Sequence, residues 1–200
     1  MPTHDVKDRL AAEYEPLIKK MLSKKRYVHS VNVADMCVYL AKRYGEDAGR
    51  AYTAGILHDI MKERPPEELL ERAAGSGLSP DPVELAVPAL RHAVAGGHYA
   101  KSELGITDGD VINSIRFHTI GRANMTLLEK IVYLGDLVSK ERDFPDVEKH
   151  RDYVNKDLDF AMYQALKLAI TDTLRKNGKI PAYTLQAYNC YNEFCKENKK

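Results

Sequence analysis

Apolar residues recur along almost the whole chain at the three- and four-residue spacing of a helix face, and stretches of alternating, β-branched-rich sequence are hard to find. The pattern predicts an all-α protein. A first helix is expected near residues 5–22. "RYVHSVNVADMCVYLAKRYG" then sets Val31, Ala34, Val38 and Ala41 on one stripe and ends on Gly45, a residue suited to a helix stop. Asp47 is placed to cap the next helix, which is expected to run through "AGILHDIMKERPP" to about Pro65 with Ala54, Leu57 and Met61 buried.

"PPEELLERAAGSG" reads as a short surface helix opened by proline and closed by glycine. In "SPDPVELAVPALRHAVAGGHYAKSELG", Pro88 and the Gly96-Gly97 pair are expected to break the pattern into short helices, leaving His92 near an irregular stretch. Asp108 suits a cap for "VINSIRFH", and Thr126 with Glu129 forms a T-x-x-E capping box opening "LLEKIVYLGDLVSK". A charged loop, "KERDFPDVEKHRD", then leads to the long amphipathic helix "KDLDFAMYQALKLAITDTLRKNG", and a last helix follows Thr184. No internal repeat is visible, and residues 193–200 read as a polar tail.

Composition adds exclusions. Two hundred residues with 44% hydrophobic content suit a single domain. Thirty basic against 29 acidic residues leave a net charge of +1, so no global field draws the chain to nucleic acid or an anionic membrane, and any anion must be held by a local cluster. No apolar run is long enough to span a bilayer, and "MPTHDVKDRL" lacks the apolar core of a secretory signal; a cytoplasmic location is the expectation. Cys37, Cys190 and Cys195 make an odd set without C-x-x-C spacing, read as reduced packing thiols. Long amphipathic helices are compatible with a homodimer without demanding one.

The chemistry centres on His58-Asp59. Alone the pair means little, since shuffling seven His and fifteen Asp over 200 positions gives about one such pair in every two chains. Its apolar setting means more, because a carboxylate there is costly unless a cation compensates it. Neighbouring helix positions point about 100° apart and serve one purpose best by gripping a third body between helices. His29 and Asp136 interrupt other apolar helices, and with His58 and Asp59 they form a two-His, two-Asp set. Imidazoles with carboxylates suit iron, manganese, cobalt, nickel or zinc better than calcium or magnesium. The ordinary alternatives are a hydrogen-bonded core histidine and an aspartate paired with arginine or lysine. "HTIGRANM" offers His118, a flexible Gly121 and Arg122 ahead of a helix N-terminus, an arrangement that can hold phosphate, although most such stretches are plain interhelical loops. Lys24, Lys25 and Arg26 are read as solvated surface, and His4 and His150, in polar segments, receive no role.

The order His29, His58-Asp59, Asp136, each on its own helix, resembles the HD phosphohydrolase superfamily. The words "RYVHS", "ILHDIMK", "LRHAVAG", "IRFHTIGR" and "LLEKIVYLGDLV" are similar to its bacterial YqeK-type branch of symmetrical diadenosine tetraphosphate hydrolases, over residues 18–192, which leaves 1–17 as a lead-in. The resemblance implies a helical bundle of the HD type and metal-dependent cleavage of diadenosine tetraphosphate and related dinucleoside polyphosphates into two nucleoside diphosphates. It implies His29, His58, Asp59 and Asp136 as metal ligands, iron foremost, with one or two ions. His92 and His118 match further family histidines that serve a second metal, the phosphates or a leaving group. Lys62 completes an H-D-x-x-K pattern facing phosphate, with Arg122 and Gly121 as further phosphate contacts. The family's third motif usually continues with proline and a small residue after the glycine, whereas this chain reads "HAVAGGHY", which leaves His92 and His98 both open for that place. Other substrates also stay open: a nucleoside monophosphate, a guanosine alarmone or a pyridine nucleotide. So does a nucleotide-binding module without catalysis.

Overall fold

A computed structural model describes residues 3–197, and side chains from 6 to 196; within them every regular element is an α-helix. Helices α1 (Thr3–Met21), α2 (Lys24–Tyr44) and α3 (Ala48–Leu57) form one side of the core. Ser23 and Asp47 cap α2 and α3 by accepting from Arg26 N and Arg50 N, and Gly45, with φ +81°, ends α2 through its N–H to the Ala41 carbonyl. The buried face of α2 is Val33, Ala34, Cys37, Leu40 and Ala41, so the stripe expected through Val31 and Val38 is rotated and those two valines are half-buried. The cause is close approach to two neighbours. A Cβ on Gly55 would lie 2.9 Å from Ala34 Cα, and one on Gly135 would lie 2.8 Å from Cys37 Sγ.

Helix α3 packs on α1, α2, α7 (Gly109–Phe117) and α8 (Leu127–Val138), which makes it the centre of the fold. It ends at Leu57, eight residues before Pro65. Beyond it the chain descends in tight turns, with Ile60, Lys62 and Arg64 N–H groups bonded three residues back. His58 and Asp59 therefore open a turn, while Ala54, Leu57 and Met61 are buried as expected.

Helices α4 (Pro66–Ala74), α5 (Pro82–Ala86) and α6 (Pro88–Ser102) follow. Pro88 does separate two helices, but Gly96 and Gly97 interrupt nothing and lie buried within α6. They let α6 and α7 touch: a Cβ would lie 3.2 Å from Ile115 Cγ2 at the first and 3.2 Å from Arg116 Cβ at the second. Packing overrides glycine's weak helix propensity here. At the same junction Arg116 and Glu84, 1% and 0% exposed, form a two-stranded ion pair of 2.6 and 2.5 Å. Asp108 caps α7, and Thr126 with Glu129 closes the predicted box on α8.

The charged stretch expected as loop contains α9 (Val147–Lys156), which hides only Val147, His150 and Val154, too thin a stripe to stand out. His150 is thus buried, between the rings of Phe144 and Tyr153, rather than in an open polar segment; the His4 side chain lies outside those described. Helix α10 (Leu158–Arg175) packs on α8, α9 and α11 (Ala182–Glu197). Cys37, Cys190 and Cys195 are free thiols, and no described helix is long and apolar enough to cross a membrane.

Candidate metal centre

Five segments meet at one point. His29 faces inward from α2, His58 and Asp59 from the turn after α3, His92 from α6, His118 from the residue after α7, and Asp136 from the last turn of α8. His29, His58, Asp59, His92 and His118 are each at most 6% exposed. Three overlapping sets have ligand atoms all within 4.8 Å of one another: His29, His58 and Asp59; His58, His118 and Asp136; Asp59, His92 and His118.

Asp59 joins the sets through its two oxygens. Oδ2 lies 3.8 Å from His29 Nε2 and 3.6 Å from His58 Nε2, whereas Oδ1 lies 3.1 Å from His92 Nε2 and 3.6 Å from His118 Nε2. Asp136 Oδ1 adds contacts of 3.1 Å to His29 and 4.0 Å to His58.

The imidazoles are oriented from behind. Nδ1 of His58, His92 and His118 donates to the carbonyls of Gly55, Ala89 and Ile115, three residues back in each case, at 2.7, 2.9 and 2.7 Å. A carbonyl only accepts, so the proton sits on Nδ1 and each Nε2 turns a lone pair into the cluster. His92 Nε2 and His118 Nε2 face each other at 3.3 Å, lone pair to lone pair, and a cation relieves that repulsion. Burial holds His58 and His92 at about 4, so both rings are neutral near pH 7 and free to ligate. His29 differs. Burial alone would lower its pKa, but Asp136 on Nε2 and Glu141 on Nδ1 raise it, and an incoming cation would displace the Nε2 proton. Burial likewise opposes charge on Asp59, yet its carboxyl is held well below the usual range, with the Arg26 guanidinium bonded to Oδ2 at 2.8 Å.

Cations ring the open side. Lys62 Nζ lies 3.1 Å from His92 Nε2 and 3.9 Å from Asp59 Oδ1. Arg26 Nη1 donates to Asp59 Oδ2 at 2.8 Å, so its reading as plain surface is corrected; it stands one turn before His29, a spacing that could have revealed it. Arg142 grips Asp136 through its carboxylate and, at 2.9 Å, its carbonyl. Glu141 binds His29 and accepts from Asn32 and Ser139 at 2.7 and 2.9 Å. Neither Glu141 nor Arg142 sits on a helix, so periodicity gave no signal for them.

Three further candidates lie apart. His98 faces a surface cavity of about 490 Å³ with Glu68, Glu71, Arg72 and Gly75, so His92 is the histidine turned to the cluster. Arg122 is committed to Glu129 by bonds of 2.9 Å from Nε and Nη2 and lies over Phe117. Gly121, with φ +66°, makes the turn that packs on Leu166 and Ala187. The α8 N-terminus behind them is already capped by Thr126 and Glu129.

A helical core with His29 contributed by α2, His58-Asp59 by the turn after α3 and Asp136 by α8 defines a class: the chain belongs to the HD domain family, whose profile matches residues 26–141. Within that family it is similar to the "bis(5'-nucleosyl)-tetraphosphatase, symmetrical" of Halalkalibacterium halodurans, 41% identical over 173 residues that cover 86% of this chain and 92% of that protein. The protein of the same name from Bacillus subtilis is 36% identical over 174 residues, again 86% and 92% of the two chains. A crystal structure from Clostridium acetobutylicum, described as a predicted HD superfamily hydrolase involved in NAD metabolism, superposes with a TM-score of 0.83 at 34% identity over 96% of this chain and 98% of that one.

Proposed function

We propose that this chain hydrolyses dinucleoside tetraphosphates symmetrically: water adds across the central phosphoanhydride of diadenosine tetraphosphate, releasing two ADP and two protons. The observation that carries this reading is the convergence of inward-turned imidazole Nε2 atoms and two carboxylates on one buried point, in a chain 41% identical to a protein named for that reaction. His29, His58, Asp59 and Asp136 would hold one divalent transition ion, and His92 with His118 and the other Asp59 oxygen a second. Such an ion, iron being the proposed native one, supplies Lewis-acid polarisation of a phosphoryl oxygen and a water of lowered pKa.

The protein's own groups prepare the rest. Backbone carbonyls and Glu141 fix the imidazoles, which removes reorientation cost at the moment of reaction. Lys62 presents ammonium donors beside His92 to phosphoryl oxygens. Arg122, Gly121 and His98 are left out, for the reasons of geometry above. Residues 18–192 are taken as one catalytic domain acting in the cytoplasm on a small nucleotide, without nucleic acid, in a chain whose helices are compatible with a homodimer.

The test is incubation of the Fe(II)- or Mn(II)-loaded protein with diadenosine tetraphosphate, AMP, a guanosine alarmone and NAD, every product identified by mass. Two ADP from the tetraphosphate, exceeding the other turnovers, support the reading. AMP plus ATP, or turnover of AMP, the alarmone or NAD alone, overturns it, and no turnover with full metal content leaves a binding module instead.

A further inference from the structure

Six of the twelve arginines of this protein separate into two sets by what their guanidiniums meet. Arg50, Arg116, Arg122 and Arg151 are structural braces. Arg50 meets Glu46, Asp108 and Asp110; Arg116 meets Glu84 twice; Arg122 meets Glu129 twice; and Arg151 reaches the carbonyls of Val138, Ser139, Lys140 and Arg142. Arg26 and Arg142 are different. Among the described residues the only hydrogen bond of the Arg26 guanidinium is a single N–H to Asp59 Oδ2, which leaves most of its five donors unused. Arg142 clasps Asp136 alone. Their side chains are 32% and 37% exposed, so both reach solvent while touching carboxylates of the proposed ligand set.

Charge sharpens the distinction. Asp59, Asp136 and Glu141 are faced by Arg26, Lys62 and Arg142, so three carboxylates are already matched by three cationic side chains before any ion enters. A bound divalent cation leaves an excess of positive charge facing solvent, and it draws the same carboxylate electrons that now hold the two guanidiniums. Arg26 and Lys62 share Asp59: the guanidinium holds Oδ2 at 2.8 Å and the amine lies 3.9 Å from Oδ1. Once a divalent ion claims those carboxylates, the three cations at the rim are left without counter-charge unless a further anion lies among them. The loop bearing Arg142 is pinned by Arg151 through four carbonyls, so this cation is held in place rather than trailing in solvent.

We infer that Arg26 and Arg142 are the polyphosphate-binding pair of the metal-loaded protein, turning from Asp59 and Asp136 onto phosphates on either side of the anhydride that is cut. This rests on the phosphohydrolase reading, and it takes the place of the loop at Arg122 as the phosphate grip.

Inorganic tripolyphosphate serves as the binding probe on the full-length Mn(II)-loaded protein, by calorimetry, with metal content and circular dichroism measured on the same samples. Arg26→Ala and Arg142→Ala are each expected to weaken tripolyphosphate binding by about tenfold or more, the loss of a charge-assisted grip. Their metal content should match wild type, and for diadenosine tetraphosphate KM should rise more than kcat falls. Arg26→Lys and Arg142→Lys, folded and still cationic, should recover part of the affinity but not the bidentate grip. Binding unchanged in both alanine variants, or anion binding lost only in step with metal, overturns the assignment and leaves the arginines as supports of the carboxylates. Wild-type protein that binds tripolyphosphate but cleaves no dinucleoside polyphosphate refutes the proposed function and not this pair.

Discussion

Two groups of buried charge flank the end of α7, two residues apart, and they are built in opposite ways. At Arg116 and Glu84 donors and acceptors match: two guanidinium N–H groups meet two carboxylate oxygens, and Nε reaches toward the Leu78 carbonyl at 3.4 Å. At His118 and Asp59 acceptors accumulate, with Nε2 lone pairs and carboxylate oxygens turned toward one another and positive side chains only at the rim. A balanced inventory closes on itself and braces helices. An excess of acceptors calls for a cation from outside, and that imbalance separates a functional cluster from a structural one more sharply than burial, which the two share.

Substitution breaks the comparison in measurable ways. Asp59→Asn should cut turnover by on the order of a thousandfold or more, because the carboxylate shared by both ligand sets loses its charge. Metal analysis of the same protein should show the ion lost too. Glu84→Gln leaves Arg116 charged, buried and uncompensated, at a cost of about 3–5 kcal/mol and a fall of roughly 10 °C in thermal midpoint. Metal per folded chain should stay at the wild-type value, and the paired replacement Glu84→Met with Arg116→Leu should regain most of the lost midpoint. Equal metal loss in Glu84→Gln would erase the distinction between the two clusters. Glu141→Gln should weaken metal binding about 10–100-fold with kcat largely retained at saturating metal, since Glu141 only orients His29. Smallest, Asp108→Ala should cost about 1 kcal/mol by chemical denaturation, from a lost cap and a half-exposed pair with Arg50, with turnover unchanged.

Much of this was legible in the sequence, for physical reasons that can be named. Caps are local, so Asp47, Asp108 and the Thr126–Glu129 box are where their spacing placed them. His29, His58, Asp59 and Asp136 stood out as polar breaks in apolar faces, and the fold brings them together. What escaped depends on tertiary contact. Gly96 and Gly97 read as breakers but serve helix-to-helix approach, and α9 hides only three residues. Arg26 looked solvated because its partner lies 33 residues away, and Glu141 and Arg142 sit in a loop whose path Arg151 sets. Arg122 had the right chemistry in the right neighbourhood, but Glu129, seven residues on, holds it.

The central claim is that the inward-facing lone pairs exist to hold metal. Anomalous scattering from crystals of the full chain grown with Mn(II), recorded at the manganese edge, tests it most directly. The predicted result is a strong peak among His29, His58, Asp59 and Asp136, with a second toward His92 and His118, and neither peak in crystals of Asp59→Asn. Density confined to the Glu68, Glu71 and His98 cavity, or a wild-type cluster with no peak at saturating manganese, would contradict it.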